Sequence, residues 1–85
     1  LMGVTGVHAE AGLTTGDFEE AAVKRALHQR AAETVVLASL EKLGAASPFS
    51  VAPLRELSAL VVPAATPNAM RKKLQAGGVK VRIAA

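Results

Sequence analysis

Residues 12–24 read Gly-Leu-Thr-Thr-Gly-Asp-Phe-Glu-Glu-Ala-Ala-Val-Lys, a small-residue turn that passes directly into a charged helix start. Asp17 and Glu20 have the spacing of a capping box, and either Thr15 or Asp17 can act as the N-cap. The alanines that follow favour helix, so we expect a helix over residues 17–32. Turn amides beside a charged first helical turn are a common way to hold a small anion.

The apolar side chains of this helix predict which side faces the core. They recur at helical spacing and are interrupted by Glu19 and Arg30. The expected core-facing residues are Phe18, Ala22, Val23, Ala26 and Leu27.

The rest of the chain alternates between short apolar runs and polar connections. Thr66-Pro67 predicts a second helix start with Thr66 as N-cap, and Gly77 predicts its end. Pro53 is expected to begin a single helical turn over residues 53–57. Loops are expected at residues 7–15 and 39–47, and strands at residues 1–4, 34–38, 49–52, 60–62 and 79–83.

This order predicts an α/β fold, with a mostly parallel sheet that carries helices on its faces. Ligands of such sheets lie at the carboxyl ends of the strands. Loops 3–16, 39–47 and 63–66 should therefore meet on one rim.

Composition limits the protein class. The 85 residues suffice for at most one small domain, and the net charge is +3. Basic residues are scattered apart from Arg71-Lys72-Lys73, and aromatic residues make up 2%, which argues against a nucleic-acid surface. The absence of cysteine fits a cytoplasmic location, and no apolar run is long enough to suggest a membrane segment. His8 and His28 lack metal-ligand spacing, so neither a metal nor a cofactor is expected.

Three features of the presumed rim could bind a ligand, and each has a simpler explanation. Glu20 and Lys24 share a helix stripe, but such a pair is commonly a solvated ion pair. Amides of residues 12–16 could hold a phosphate, or could form an ordinary helix entry. Lys42 follows a strand and could reach a phosphate, or could be a solvated loop lysine.

Several motifs, in order, resemble the effector-sensing domain of DeoR/GlpR-family bacterial repressors. Residues 3–7 resemble the family's G-x-x-G-[IV] strand end, and residues 10–15 its G-[LV]-T turn. The family's E-x-x-x-K-R-A helix pattern falls on Glu20, Lys24, Arg25 and Ala26. Residues 35–44 resemble V-x-L-x-D-x-S-K-F-G, and residues 53–62 resemble the segment before the penultimate strand.

The chain departs from this pattern around Lys42. Ser39, Glu41 and Leu43 replace the family's Asp, Ser and Phe, and Glu41 adds negative charge beside a presumed phosphate site. Val62-Pro63 stands at the strand end that Thr-Asp usually follows, and His8 stands where Asp is common.

The resemblance implies a sugar-phosphate sensor with a fold similar to ribose-5-phosphate isomerase and CoA-transferase domains. Residues 1–85 would be the C-terminal part of that domain, with a DNA-binding helix-turn-helix upstream of Leu1, although Met2 could also be a true start. It implies a phosphorylated sugar as effector, DNA contact only through the upstream domain, no membrane contact and assembly into a homo-oligomer. The ligand-binding residues that it implies are Gly6, Gly12, Thr14, Glu20, Lys24 and Lys42.

Two other functions remain open at this point. One is an isomerase-like enzyme with Glu20 as general base. The other is a degenerate domain that is kept for oligomerisation, which the substitutions at Glu41 and Leu43 would favour.

Overall fold

The computed structural model describes residues 6–84, which form two small sheets and two helices. The strands are β1 (Gly6–His8), β2 (Gly12–Thr15), β3 (Val35–Leu37), β4 (Phe49–Ala52), β5 (Ala59–Val62) and β6 (Val81–Ile83). The helices are α1 (Phe18–Arg30) and α2 (Asn68–Ala76). Single 3₁₀ turns cover Leu40–Lys42 and Leu54–Glu56. The α/β class is therefore confirmed.

The expectation of one mostly parallel sheet is met only in part. Strands β3, β5 and β6 form a parallel sheet in the order β3-β5-β6, in which Val35 pairs with Ala59 and Leu60 with Val81. Strands β1, β2 and β4 form a separate antiparallel sheet in the order β1-β2-β4. The chain thus carries one parallel layer and one antiparallel layer.

The loop predicted over residues 7–15 is wrong, because most of it forms the β1-β2 hairpin. Gly6 pairs with Thr14, and His8 pairs with Gly12. The His8 imidazole completes the connection, since its Nδ1 accepts from the backbone N–H groups of Glu10 and Ala11 at 3.1 Å each. The strand predicted at residues 1–4 lies outside the described residues.

Helix α1 confirms the predicted cap but reverses the predicted face. Asp17 is the N-cap, and its Oδ1 accepts from the backbone N–H of Glu20 at 3.0 Å. Ala21 is the buried residue of the helix, whereas Phe18, Val23 and Leu27 are each 59% exposed. The expected apolar stripe therefore does not face the core of the described chain.

Polar residues of α1 explain this orientation because they find partners on neighbouring elements. The Arg25 guanidinium donates to the carbonyl of Ser50 at 2.7 Å. The two ring nitrogens of His28 lie 2.7 Å from Thr34 Oγ1 and 3.1 Å from Glu56 Oε1. Hydrogen bonds to polar partners thus orient the helix, and the small Ala21 allows close approach.

Helix α2 begins one residue later than predicted. Pro67 is the N-cap and Gly77 the C-cap, so Thr66 lies just before the helix with its buried hydroxyl unpaired. The predicted last strand is also shortened, to β6.

The core joins the two sheets. Burying each of its larger apolar side chains contributes about 1.5–3 kcal/mol. The fully buried apolar residues are Val7, Leu13, Ala21, Val36, Leu60, Val62 and Leu74. Neither helix has the length and apolar character needed to cross a membrane, as far as residues 6–84 are concerned.

Candidate functional site

Gly6 and Thr14 lie together beside the segment that follows Lys42. Thr14 Oγ1 accepts from the backbone N–H of Ser47 at 2.8 Å. A Cβ placed on Gly6 would come within 2.5 Å of both the Ala45 carbonyl oxygen and Thr14 Oγ1. Gly6 therefore lets residues 45–47 pass close to the β1-β2 hairpin, which we call the ribbon. This contact joins Gly6 and Thr14 to the segment that follows Lys42.

Lys42 ends the 3₁₀ turn that follows β3, and its side chain is half-buried. The next residues lie along the outer edge of β1, where the Gly44 N–H donates to the Val7 carbonyl at 2.7 Å. The Ala45 N–H then donates to the Lys42 carbonyl at 3.3 Å. The lysine is thus carried by a backbone segment that is anchored to the ribbon.

Glu20 contacts the same ribbon from α1, the helix that also carries Lys24. The Thr15 hydroxyl donates to Glu20 Oε2 at 3.3 Å, and Lys24 is half-buried one turn further along. Thr14 and Thr15 are consecutive residues of β2, so their side chains point to opposite faces of the sheet. The Glu20 carboxylate and the Ser47 segment therefore contact the ribbon from opposite sides.

Gly12 lies at the other end of the ribbon and has a packing role. Its φ is +77°, and a Cβ there would lie 2.4 Å from the Ala52 carbonyl oxygen. Strand β2 is central, with β1 on one side and β4 on the other. Backbone groups of Gly12–Thr15 therefore take part in sheet pairing, unlike the open turn amides that the sequence suggested.

Two residues of the site were not predicted from the sequence. Thr15 connects the ribbon to α1, and Ser47 connects it to the segment that follows Lys42. A threonine five residues before Glu20 was the available signal for the first contact. Ser47 contributes a backbone N–H, which no side-chain pattern could have revealed.

Two surface cavities flank α2, and the predicted site residues line neither. One has a volume of about 380 Å³ and is lined by His8, Ala9, Glu10, Lys73, Ala76 and Gly77. The other has a volume of about 310 Å³ and is lined by Asn68, Arg71, Lys72, Gln75, Val81 and Ile83. No three His, Asp or Glu side chains within the described residues converge to hold a metal ion.

Comparison with known proteins identifies the family. A family model described as the DeoR C terminal sensor domain matches residues 1–63. The chain belongs to this sensor-domain family. The resemblance drawn from the sequence motifs is thereby confirmed.

Two curated relatives of the sensor domain are transcriptional regulators by name. The HTH-type transcriptional regulator GlpR of Haloferax volcanii is 31% identical over 81 residues, which cover 95% of this chain and 32% of the relative. The HTH-type transcriptional repressor GlcR of Bacillus subtilis is 32% identical over 83 residues, which cover 98% of this chain and 32% of the relative. The chain thus spans about a third of the length of each. No solved structure matches it.

The departures of this sensor domain from the family pattern place a persistent negative charge beside Lys42. A hydrogen bond from its own backbone N–H lowers the pKa of the Glu41 carboxyl group, and the neighbouring Lys42 ammonium lowers it further. Glu41 therefore stays ionised to a more acidic pH than an ordinary glutamate. Any anion that approaches Lys42 meets this carboxylate as well.

Proposed function

We propose that this sensor domain binds a small phosphorylated sugar and that binding changes the DNA affinity of the regulator to which it belongs. The match of the family model to residues 1–63, the segment that contains all six candidate residues, carries the proposal. DNA would be contacted by a helix-turn-helix domain outside this chain, as the names of the two relatives suggest for those proteins. The protein would act in the cytoplasm without a catalytic step or a cofactor.

In this proposal Lys42 supplies the positive charge for the phosphate. Glu20, which contacts the ribbon from the opposite side, orients Lys24. Gly6, Gly12 and Thr14 act indirectly by shaping the ribbon that both charged elements contact. Thr14 and Thr15 bond to the Ser47 segment and to Glu20 at 2.8 and 3.3 Å. A ligand that binds one position of either element more tightly than another would favour the matching position of the ribbon. Because both elements contact the ribbon, the other element would shift with it.

Ligand-dependent stabilisation tests this proposal. A sugar phosphate at 100 times its Kd should add about 2.7 kcal/mol to the free energy of unfolding, and the unphosphorylated sugar should add almost nothing. Thermal unfolding of the domain with a panel of hexose, pentose and triose phosphates measures the effect.

Lys42→Met should weaken binding of the phosphorylated sugar roughly tenfold or more, because a charged hydrogen bond is lost.

The matched control is Arg30→Gln, which removes one positive charge from the end of α1, outside the proposed site. Its effect on the Kd should be less than about twofold. Glu41→Gln should tighten binding, since it removes the carboxylate beside Lys42. Equal loss of affinity in Lys42→Met and Arg30→Gln would show that the lysine has no specific role.

We further propose that the protein functions as a homo-oligomer. The exposed apolar side chains of α1, Val23 and Leu27, support this because they lie one turn apart on a helix face that the described chain leaves uncovered. Light scattering should give a multiple of the chain mass, and Val23→Glu with Leu27→Glu should reduce it to the monomer mass. The double change Glu19→Gln with Arg30→Gln is the control, and a dissociated control or an unchanged apolar variant would contradict the proposal.

A further inference from the structure

Strand β6 leaves one backbone edge unpaired within residues 6–84. On its inner side the Leu60 N–H donates to the Lys80 carbonyl at 2.8 Å, and the Ala84 N–H donates to the Val62 carbonyl at 2.9 Å. In a parallel ladder the residues between these, Val81 and Ile83, direct their N–H and C=O groups to the opposite side. No strand of the described chain pairs with that side. Such an edge is a template for a further strand.

Cations lie on both faces of this edge. Val81 and Ile83 face the cavity beside α2, so the alternating Lys80 and Arg82 project from the other face of the sheet. On the α2 face, Arg71 and Lys72 line the same cavity. A strand added here would therefore meet positive side chains above and below it.

The charge of the chain is segregated around this edge. Every acidic residue of the sequence lies at or before Glu56, whereas five of the ten basic residues follow it. Those five are Arg71, Lys72, Lys73, Lys80 and Arg82. The surface formed by α2 and β6 thus carries positive charge without a compensating carboxylate of its own segment.

The cavity beside β6 offers a place for a side chain of an added strand. Val81 and Ile83 supply apolar surface, and Ile83 is 43% exposed. Arg71 and Lys72 supply charge, with the Arg71 guanidinium hydrogen-bonded to the Asn68 side chain. A mixed pocket beside an open strand edge is the usual arrangement for recognising an extended peptide, with backbone pairing for affinity and the pocket for selectivity.

We propose that the outer edge of β6 docks an extended acidic segment of a partner protein by strand addition. A second copy of β6 is disfavoured, because its own Lys80 and Arg82 would lie beside these residues. A nucleic-acid backbone is disfavoured, because the cations lie on two faces of the sheet and cannot all contact the phosphates of one duplex. The unpaired groups at the edge are backbone N–H and C=O groups, which another backbone satisfies best. The proposal is independent of the sugar-phosphate site.

Amide hydrogen exchange, followed by NMR, gives a direct readout. The probe is a ten-residue peptide of repeating Glu-Glu-Thr-Thr, which places Glu on both faces of an added strand. A peptide with Lys in place of Glu and a short DNA duplex are the comparison ligands. We expect the acidic peptide to slow exchange at Val81 and Ile83, with an affinity that falls as salt is added. Acidic binding without protection of these two amides, or equal binding of the lysine peptide, would overturn the proposal. Tighter binding of the duplex than of the acidic peptide would do the same.

Variants separate backbone pairing from charge attraction. Ile83→Pro removes an outward N–H that β5 does not use and should abolish peptide binding, whereas Ile83→Val should retain it. Lys72→Gln and Arg82→Gln should each weaken binding about two- to fivefold, as expected for partly exposed ion pairs, and Arg30→Gln should have no effect. Circular dichroism checks the fold of Ile83→Pro. If that variant unfolds, the two charge variants still decide, and a loss no larger than that of Arg30→Gln refutes the proposal.

Discussion

Gly12→Ala is expected to lower the free energy of unfolding by about 2–4 kcal/mol, because the position combines a positive φ with a backbone clash. The φ of +77° is unfavourable for any residue with a Cβ. The added carbon would also lie 2.4 Å from the Ala52 carbonyl oxygen and 2.9 Å from Pro53 Cα, both backbone atoms that cannot turn away. Urea unfolding followed by circular dichroism measures the change.

Gly16→Ala is the matched control for this prediction. Gly16 follows β2 directly, and a Cβ there would meet nothing within 4 Å. We expect its effect to stay within about 0.5 kcal/mol. Similar losses in the two variants would mean that the hairpin does not need the close approach of Gly12 to β4.

Leu60→Ala should cost about 2–5 kcal/mol, because it opens a cavity in the centre of the parallel sheet. Leu60 is fully buried in β5, which has β3 on one side and β6 on the other. The Leu60 side chain projects from the sheet face into the core, where close packing lets the surrounding side chains fill the cavity only in part. The same urea titration, with the midpoint and the slope fitted separately, reports this loss.

Leu37→Ala makes the same chemical change in the adjacent strand, where the side chain is 54% exposed. Its cost should stay below about 1 kcal/mol, since little surface is removed from water in the native state. If Leu37→Ala were as damaging as Leu60→Ala, the assignment of the core to the sheet face that carries Leu60 would be incorrect.

The parallel layer could be predicted from local patterns. Residues 34–38 and 60–62 are short β-branched runs, and a helix with a clear start and end precedes the last strand. Asp17 was correctly identified as a possible cap because the cap contact spans only three residues. Features that depend on neighbours along the chain were therefore accessible to sequence reasoning.

The antiparallel layer could not be predicted in this way. Residues 7–15 contain glycine and small residues and lack a clear alternation. Their strand conformation depends on pairing with β4, in which Thr14 lies opposite Ser50. Contacts between residues so far apart in sequence leave no local signal, and strand preference depends strongly on such context.

Contacts between residues far apart in sequence also shape the candidate site. The spacing of Glu20 and Lys24 correctly placed both on one stretch of α1. It could not show that Thr14 and Thr15 send their hydroxyl groups to opposite faces of the ribbon, or that Gly12 packs against β4. The elements that carry Lys24 and Lys42 therefore contact opposite sides of the ribbon.

The sequence by itself determined the family, the two helices and the parallel order of the later strands, because motif order, caps and short apolar runs are properties of neighbouring residues. Only the tertiary structure decided that the glycine-bearing segment is a central strand and that α1 turns its polar side toward the protein. Both depend on hydrogen-bond partners supplied from distant parts of the chain: β4 for the ribbon, and Ser50, Thr34 and Glu56 for α1. A backbone or polar group that is removed from water must find such a partner, and the fold determines which one is within reach.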